Sequence, residues 1–362
     1  MQWTKEQKHA IISLLKGVRA DEPVQTLGGY AGTGKTTAIR QIQNSLRSKG
    51  MHFAVAAYTG KAANVLRGKG IDACTIHKLI YAPFQDEDGD TIWYLKSRHD
   101  LSDPGGPAVR GFIIDEASMV SKEIYQDLMS YGLPIIFVGD HGQLEPIGGS
   151  KFNLMSDPMY RLEEVHRNAG EIALFAEHLR KDNPAHTFPA KKQVQLVRPT
   201  SIHNNHLAGV DQVIVAYNRD RVALNQRVRE YKRLDYVMLA VGEKIICLRN
   251  NSKEGLFNGQ QGIVTSISDD GDRFDFRSDD NMYLYNILYD PDIFGQEKPE
   301  IVHGKGENPF DYAYAITCHK AQGDEWGSVI VFEKHCPKWE HRRWAYTAAS
   351  RAAKSLIWAV DI

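Results

Sequence analysis

The sequence predicts an α/β protein with two parallel-sheet domains, and three observations predict it. Short apolar runs at 53–58, 111–115 and 133–140 each end in a small or polar residue. Continuous runs of this kind are typical of strands that are covered on both faces, as in parallel sheets. The alternation of strand and helix patterns begins again at about residue 170, and 362 residues exceed what one hydrophobic core usually supports. We therefore expect two similar domains with smaller insertions.

The first domain is predicted to begin with a helix whose N-cap is Thr4. A buried strand follows at 24–27, then the glycine-rich turn GGYAGTGKTT, and then a helix at 38–46 that Gly50 ends. Further along, YAPFQ and DTIWYL flank the turn DEDG, a pattern typical of a short β-hairpin. The first domain thus combines a strand–loop–helix unit with a hairpin insertion.

The second domain is predicted from a helix at 171–180, a strand at 212–217 and a helix from 219 to about 232. Between 241 and 308 the pattern changes to short strands separated by turns, which favours a small β-barrel insertion. The predicted limits are 1–168 for the first domain, 81–108 for its hairpin insertion, 169–236 with 309–362 for the second domain, and 237–308 for the barrel insertion.

Charge excludes one class of nucleic-acid-binding protein. Lysine plus arginine (44) nearly balances aspartate plus glutamate (45), which argues against a protein that binds phosphate by bulk charge. A nucleic-acid site must therefore be a local groove. One predicted helix is strongly basic, and we favour a solvated face over a nucleic-acid surface for it. Its basic residues are Arg219, Arg221, Arg227, Arg229, Lys232 and Arg233.

Location and redox state follow from what the sequence lacks. No stretch approaches eighteen apolar residues and the N-terminus has no apolar signal core, so we expect no membrane contact and a cytoplasmic protein, or one in the host-cell cytoplasm if a virus encodes it. The four cysteines are scattered without a CxxC pair, which argues against a zinc ribbon, an iron–sulfur cluster or a disulfide framework.

A phosphate site is predicted where the first strand meets its helix. The segment from Gly29 to Thr36 fits GxxxxGK[ST], with Gly32 and Gly34 inside it and Thr37 directly after it. Glycines let the backbone amides surround phosphates, Lys35 reaches the β and γ phosphates, and the Thr36 hydroxyl can ligate Mg²⁺. The alternative is a flexible glycine turn with a surface lysine, which the flanking strand and helix disfavour.

Two carboxylates follow the apolar run at 111–115. Asp115 would hold Mg²⁺ through water and Glu116 would polarise an attacking water, as a nucleoside triphosphatase requires. Simple capping of a helix start is the alternative.

Gln7 carries two interpretations. It fits a capping box with Thr4, and its amide could equally pair with an adenine edge.

The order of motifs resembles superfamily 1 helicases, specifically their RecD-like and Dda-like branch. The motifs are TKEQ, GYAGTGKTT, AYTGKAA, TIHKLI, IIDEASMV, VGDHGQLEPIG, LEEVHRN, YAITCHKAQGDEWGSVIV and YTAASRA, and they span nearly the whole chain. The resemblance implies two RecA-like domains with ATP and Mg²⁺ as cofactors, and an SH3-like form for the barrel insertion. It also implies 5′ to 3′ movement on single-stranded DNA.

The resemblance implies further site residues. Gln143 would sense the γ-phosphate, Arg167 and Arg351 would approach it, and Glu325 would touch the ribose. The implied DNA contacts are Thr59, Lys61, His77, Thr317, His319 and Lys320, although a structural role is as plausible for the two histidines. Family members carry a wedge hairpin in the corresponding insertion, which makes Phe84 and Trp93 the candidate wedge residues, with packing on their own domain as the alternative.

We expect single-stranded and forked duplex DNA as partners and a protein able to act as a monomer; no pattern indicates a protein partner. An RNA helicase or a translocase that does not unwind is the alternative, because phosphate contacts do not separate DNA from RNA. A nucleotide-switched binding module is disfavoured by the presence of Glu116, Gln143 and Arg351.

Overall fold

The computed structural model describes residues 3–85, 91–102, 105–144, 152–165, 170–235, 238–251, 254–279, 281–301, 307–337 and 339–360. The side chains of residues 61, 83–85 and 91–93 lie outside this description. The chain forms two compact units, Met1–Glu177 and His178–Ile362. Each unit is described below by itself.

The first unit contains a six-stranded parallel sheet and a separate antiparallel strand pair. Its strands are β1 (Val24–Gly29), β2 (His52–Ala57), β3 (Ala73–Thr75), β4 (Tyr81–Gln85), β5 (Thr91–Leu95), β6 (Val109–Asp115), β7 (Ile135–Gly139) and β8 (Tyr160–Leu162). Its helices are α1 (Lys5–Arg19), α2 (Lys35–Arg47), α3 (Gly60–Gly68), α4 (Ile76–Ile80), α5 (Lys122–Ser130) and, reaching into the second unit, α6 (Glu171–Arg180). The parallel sheet has the order β3-β2-β6-β7-β1-β8.

The apolar runs form the predicted strands because both faces of this sheet are buried. Alternate residues of one strand enter different cores: Ile113 packs with Ile39 of α2, whereas Ile114 packs with Leu128 of α5. The expectation of a parallel sheet covered on both faces is confirmed.

The pair β4 and β5 continues directly from α4. Tyr81 pairs with Leu95 at the base, and Gln85 pairs with Thr91 at the far end. Residues 86–90, the turn of the predicted hairpin, lie outside the described residues.

The second unit contains a parallel sheet and an antiparallel sheet. Its strands are β9 (Val194–Val197), β10 (Gln212–Val215), β11 (Lys244–Cys247), β12 (Gln261–Ile267), β13 (Arg273–Ser278), β14 (Tyr283–Leu288), β15 (Phe310–Tyr312), β16 (Ala315–Thr317), β17 (Trp326–Phe332) and β18 (Ala352–Ala359). Its helices include α7 (Asn204–Gly209), α8 (Asn218–Tyr231) and α9 (His341–Ala349). The strand orders are β16-β10-β17-β18-β9 for the parallel sheet and β14-β13-β12-β11-β15 for the antiparallel one.

The solvated face favoured for the basic helix is wrong for two of its arginines. Arg229 is 1% exposed, and its Nε donates to Glu243 Oε1 at 2.7 Å. Arg221 is also buried and forms an ion pair with Asp311 of β15. The physical reason is that α8 packs on β10 and β16, where two of its arginines reach the buried carboxylates of Glu243 and Asp311, and a buried charge is costly unless it is paired. These arginines bind the chain's own carboxylates.

The buried Arg229–Glu243 pair generates a stability prediction. Glu243→Gln keeps the shape but leaves the Arg229 guanidinium without a counter-charge, so we expect the free energy of unfolding of the second unit to fall by about 3–5 kcal/mol. Urea unfolding followed by the fluorescence of the buried Trp344 and Trp358 measures it.

The matched control in the same unit is Asp272→Asn, which removes the exposed ion pair between Asp272 and Arg273 and should cost no more than about 1 kcal/mol. Equal effects of the two substitutions would contradict a structural role for the buried pair.

Candidate functional site

The glycine-rich loop joins β1 to α2 in the conformation that its sequence predicts. Gly32 and Gly34 have φ values of 78° and 86°, where any side chain would be strained. A Cβ on Gly29 would lie 2.8 Å from Thr33 Oγ1 and 3.0 Å from Lys35 Cγ. Only glycines therefore allow this close turn, which leads directly into the N-terminus of α2.

The Lys35 ammonium lies against this loop. Its Nζ donates to the Gly29 carbonyl at 2.7 Å and to the Tyr30 carbonyl at 3.1 Å. The same atom lies 3.6 Å from Asp140 Oδ2, at the end of β7. Lys35 is thus the cation between the loop and the neighbouring strand end.

Buried acids stand at the ends of neighbouring strands. β6, β7 and β1 are adjacent and parallel, so Asp115, Asp140 and the loop meet at one edge. Burial first, and the charge of Glu116 second, raise the pKa of Asp115 to about 7, while Lys35 acts in the opposite direction. This edge therefore favours binding of a cation.

Glu116 has an unusual backbone. Its φ of 54° is left-handed, which is rare for a residue other than glycine and occurs most at functional sites. Its Oε2 is buried and has no hydrogen-bond partner among the described residues. The carboxylate therefore keeps acceptor capacity for a proton donor such as water.

These residues fit the phosphates of a nucleotide together with Mg²⁺. The glycine cradle and Lys35 suit phosphate oxygens, while Thr36 in the first turn of α2 and Asp115 are the residues that would hold the metal. No group of three or more His, Cys, Asp or Glu in the described part of the chain could bind a metal alone.

Sequence reasoning missed Asp140. It is 2% exposed, its Oδ1 accepts from the Gly142 amide at 2.9 Å, and its Oδ2 lies 3.4 Å from Gln143 Nε2. Asp140 thus links Gln143 to Lys35. The signal was present, since VGD ends a buried strand as IIDE does.

Gln7 forms the capping box that was one of its two interpretations. Its Oε1 accepts from the Thr4 amide at 3.1 Å, and the Thr4 hydroxyl accepts from the Gln7 amide at 3.1 Å. In addition, Gln7 Nε2 donates to the Thr33 carbonyl of the phosphate loop at 2.9 Å. Base recognition by Gln7 stays a prediction.

The predicted nucleic-acid contacts of the first unit lie after neighbouring strands. Thr59 follows β2 and caps α3, accepting from the Ala62 amide at 3.1 Å. His77 follows β3 on α4, and its ring centroid lies 5.4 Å from that of Tyr81. Burial lowers the pKa of His77, which favours the neutral ring. Lys61 lies on α3, with its side chain outside the described residues.

In the second unit, three predicted contacts lie at the end of β16 and in the turn that follows it. Thr317 ends that strand beside Val215 of β10. The His319 ring lies 5.1 Å from the Trp339 ring, and burial lowers the pKa of His319. Lys320 Nζ donates to Asn258 Oδ1 at 2.7 Å.

The remaining predicted residues have different surroundings. Arg351 is buried and donates to the Thr347 and Asp324 carbonyls at 3.0 and 2.9 Å and to Ser350 Oγ at 2.9 Å. Glu325 is exposed.

Besides Lys61, three predicted residues fall wholly or partly outside the description. Arg167 lies outside the described residues. Phe84 and Trp93 lie on β4 and β5, with their side chains outside the description.

In the described part of the chain, every helix is too short or too polar to cross a membrane.

Comparison with known proteins gives a consistent set of relatives. The AAA domain family matches residues 2–201, more than half of the chain, and the UvrD-like helicase C-terminal domain matches residues 312–358. The chain is 26% identical over 380 residues to the ATP-dependent RecD2 DNA helicase of Deinococcus radiodurans, across 96% of this chain and 48% of that protein. It is 27% identical over 169 residues to the ATP-dependent DNA helicase dda of Enterobacteria phage T4, across 45% of this chain and 37% of that protein. The chain thus spans less than half the length of either relative.

Solved structures show the fold. The Pif1 helicase from Bacteroides bound to single-stranded DNA matches with a TM-score of 0.60 at 20% identity, covering 100% of this chain and 93% of that chain. The complex of a Bacteroides Pif1 helicase with ADP-AlF3 and single-stranded DNA gives the same values. The α/β fold with parallel sheets matches the RecA-like domains of these proteins.

The raised pKa of Asp115 generates a pH prediction. Between about pH 4 and pH 7 the folded protein retains a proton that the unfolded chain has lost, so stability falls as pH rises through this window. Asp115→Asn cannot titrate. The variant should therefore gain stability over the parent as pH rises, by about 4 kcal/mol at about pH 8, since the pKa of Asp115 is raised by about three units and one unit corresponds to about 1.4 kcal/mol.

The measurement is the free energy of unfolding across pH, without nucleotide or divalent metal ions. Parallel curves for the two proteins would show that Asp115 is not buried as an acid with a raised pKa.

Proposed function

The chain belongs to the AAA domain family, in the RecD- and Pif1-like branch of the superfamily 1B DNA helicases, and we propose that it hydrolyses ATP to move along single-stranded DNA and unwind duplex. One observation carries the proposal. Lys35, Asp115, Glu116 and Asp140 converge at the edge where the glycine-rich loop begins α2. This is the set of charges that phosphoryl transfer to water requires.

In the proposed reaction each residue has one task. Lys35 exchanges its two carbonyl contacts for the oxygens of the β and γ phosphates. Glu116 accepts a hydrogen bond from the attacking water through its unpartnered Oε2 and so orients it. Mg²⁺, when held by Thr36 and Asp115, supplies positive charge to the phosphates. We assign the sensing of the γ-phosphate to Gln143, whose Nε2 lies 3.4 Å from Asp140 Oδ2.

Arginines complete the proposed machinery. A guanidinium neutralises the charge that develops on the transferred phosphoryl group, and such a residue is worth about 10³–10⁵ in rate. We assign this role to Arg351 and Arg167. The three bonds that hold Arg351 support its assignment, because a fixed guanidinium loses little entropy when it binds phosphate. Glu325 is assigned to the ribose and Gln7 to the base.

The proposed DNA track uses donors that carry no sequence information. Its residues are Thr59, Lys61, His77, Thr317, His319 and Lys320. The lowered pKa values of His77 and His319 support neutral rings that each donate one hydrogen bond to phosphate. Such contacts are compatible with RNA as well, so an RNA helicase or a non-unwinding translocase remains the second candidate.

The proposed domain limits are those of the sequence pattern: 1–168, 169–236 with 309–362, and an SH3-like barrel at 237–308. Strands β11 to β14 of the antiparallel sheet lie within 237–308 and support the barrel, whereas its edge strand β15 (Phe310–Tyr312) lies just beyond that limit. The antiparallel pair β4 and β5 supports a wedge hairpin at 81–108.

The first prediction from this function concerns forked duplexes. We expect ATP-dependent strand displacement on a fork with only a 5′ single-stranded tail and none with only a 3′ tail, because the branch resemblance implies 5′ to 3′ movement. ATPase stimulation by poly-dT and poly-rU is measured beside it. Displacement from the 3′ tail alone would refute the polarity, and stimulation by poly-rU alone would favour the RNA candidate.

The control for this assay is Lys35→Ala. It removes the charge on the β and γ phosphates without removing buried apolar area, so hydrolysis and displacement should both disappear from a folded protein. Full turnover in that variant would refute the nucleotide site.

The second prediction concerns the wedge. Opening a base-pair step costs about 1.4 kcal/mol on average, whereas stacking one base on an aromatic ring recovers about 1–3 kcal/mol. A ring at the fork could therefore offset most of the cost of melting. Phe84→Ala or Trp93→Ala should slow displacement while DNA-stimulated ATPase persists. Tyr231→Ala is the matched control, because Tyr231 is 52% exposed at the end of α8 and lies outside the strand pair.

If displacement, ATPase and thermal stability all fall together in Phe84→Ala or Trp93→Ala, the rings are part of the core and the wedge is wrong.

A further inference from the structure

The strand pair β4 and β5 needs contacts beyond its own ladder to keep a fixed orientation. Two antiparallel strands alone are marginally stable in water, because they bury little surface. Among the described residues of the first unit, neither strand of this pair forms a ladder with the six-stranded sheet. Its orientation must therefore be set at its base, where β4 begins at Tyr81 and β5 ends at Leu95.

Tyr131, just after α5, holds both ends of that base. Its hydroxyl lies 2.9 Å from the Lys96 carbonyl and 3.2 Å from the Ile80 carbonyl, so its proton is shared between the residue before β4 and the residue after β5. The ring is 8% exposed and meets Phe112 of β6 edge to face at 5.7 Å. Because the ring is packed in the core of the parallel sheet, the position of the hydroxyl is fixed by that core.

A second tyrosine makes the reciprocal contact. The Tyr81 hydroxyl donates to Asp127 Oδ2 on α5. Between the two ends of the pair, the Lys96 amide donates to the Ile80 carbonyl at 2.8 Å, and Lys96 Nζ donates to the Lys78 carbonyl at 2.7 Å. These bonds meet at the base of the strand pair. We call this base the collar; it consists of Ile80, Tyr81, Lys96, Asp127 and Tyr131.

The collar also joins the pair to a predicted DNA contact. α4 ends at Ile80 and β4 begins at the next residue, so no loop separates them. His77 of α4 packs its ring on Tyr81, one of the two collar tyrosines. A displacement of α4 would therefore displace the strand pair as well.

We propose that Tyr131 and Tyr81 are positioning residues that lock the β4–β5 pair to α5, so that the pair bears the load of strand separation as a rigid lever. The inference rests on the proposed helicase function and adds the residues that make a wedge effective. Without the two hydroxyls the pair stays folded on its ladder but pivots at its base. A wedge that pivots yields to the duplex instead of destabilising it.

The test uses single-atom changes. Tyr131→Phe and Tyr81→Phe each remove one hydroxyl and keep the ring. Tyr125→Phe is the matched control, because Tyr125 lies on the same helix and packs by its ring on Phe137. Asp127→Asn keeps an oxygen acceptor for Tyr81, whereas Asp127→Ala removes it. All are full-length proteins, measured for thermal midpoint, DNA-stimulated ATPase and displacement on forks of A·T-rich and G·C-rich duplex.

We expect Tyr131→Phe and Tyr81→Phe to displace strands about three- to tenfold more slowly, the scale of one buried hydrogen bond, with ATPase unchanged. The loss should be larger on the G·C-rich fork, because a yielding wedge depends more on spontaneous opening. Asp127→Ala should behave like Tyr81→Phe, while Asp127→Asn and Tyr125→Phe should match the parent. A merely structural role would not alter the dependence on base composition.

Two outcomes overturn the inference. Displacement equal to the parent in both tyrosine variants shows that the collar does not position the pair. A parallel loss of ATPase, displacement and thermal midpoint shows that the hydroxyls only stabilise the fold. Failure of the unsubstituted protein to displace strands from any fork overturns the proposed function itself, and the inference with it, so the two failures are distinguishable.

Discussion

The chemistry of the first unit depends on one charge, the Lys35 ammonium, at the edge where three parallel strands end. Asp140 is almost fully buried 3.6 Å from that charge, and Lys35 opposes the effects that raise the pKa of Asp115. Carboxylates so deeply buried are costly unless a cation lies near. The position of Lys35 is fixed in turn by a loop conformation that only glycines tolerate. Backbone geometry therefore sets the electrostatics of the whole edge.

The second unit uses buried cations differently. Arg229 meets both oxygens of Glu243 and lies over the Tyr312 ring, and Arg221 meets Asp311, so these guanidinium groups already have full partners. Lys35, by contrast, is held chiefly by neutral carbonyl oxygens, which an anion can replace at little cost. That difference separates a cation that holds the fold from one that can bind a substrate. Formal charge alone does not distinguish them.

Burial and backbone geometry also explain which parts of the fold could be predicted from the sequence. Strands β2, β6 and β7 were predictable because burial on both faces demands continuous apolar runs, and the phosphate loop because its glycines are required one by one. Strand β8 was not, since Tyr160–Leu162 forms by backbone pairing with β1 and carries no apolar pattern. The buried arginines of α8 were missed because periodicity does not reveal which carboxylate a distant strand will supply. Tyr131 has no local signal either, since its partners at Ile80 and Lys96 are brought to it only by the fold.

A polar group at a strand end also connects the sheet edge near His77, a proposed DNA contact, to the β4–β5 pair. β3 ends at Thr75, whose hydroxyl accepts from the Lys78 amide and so starts α4. α4 is only five residues long and runs directly into β4. The cap, the helix carrying His77 and the base of the strand pair are therefore one continuous segment, fixed at its start by the sheet and at its end by tyrosine hydroxyls. A contact made at the sheet edge and a load applied to the strand pair act on the same short, stiff piece of chain.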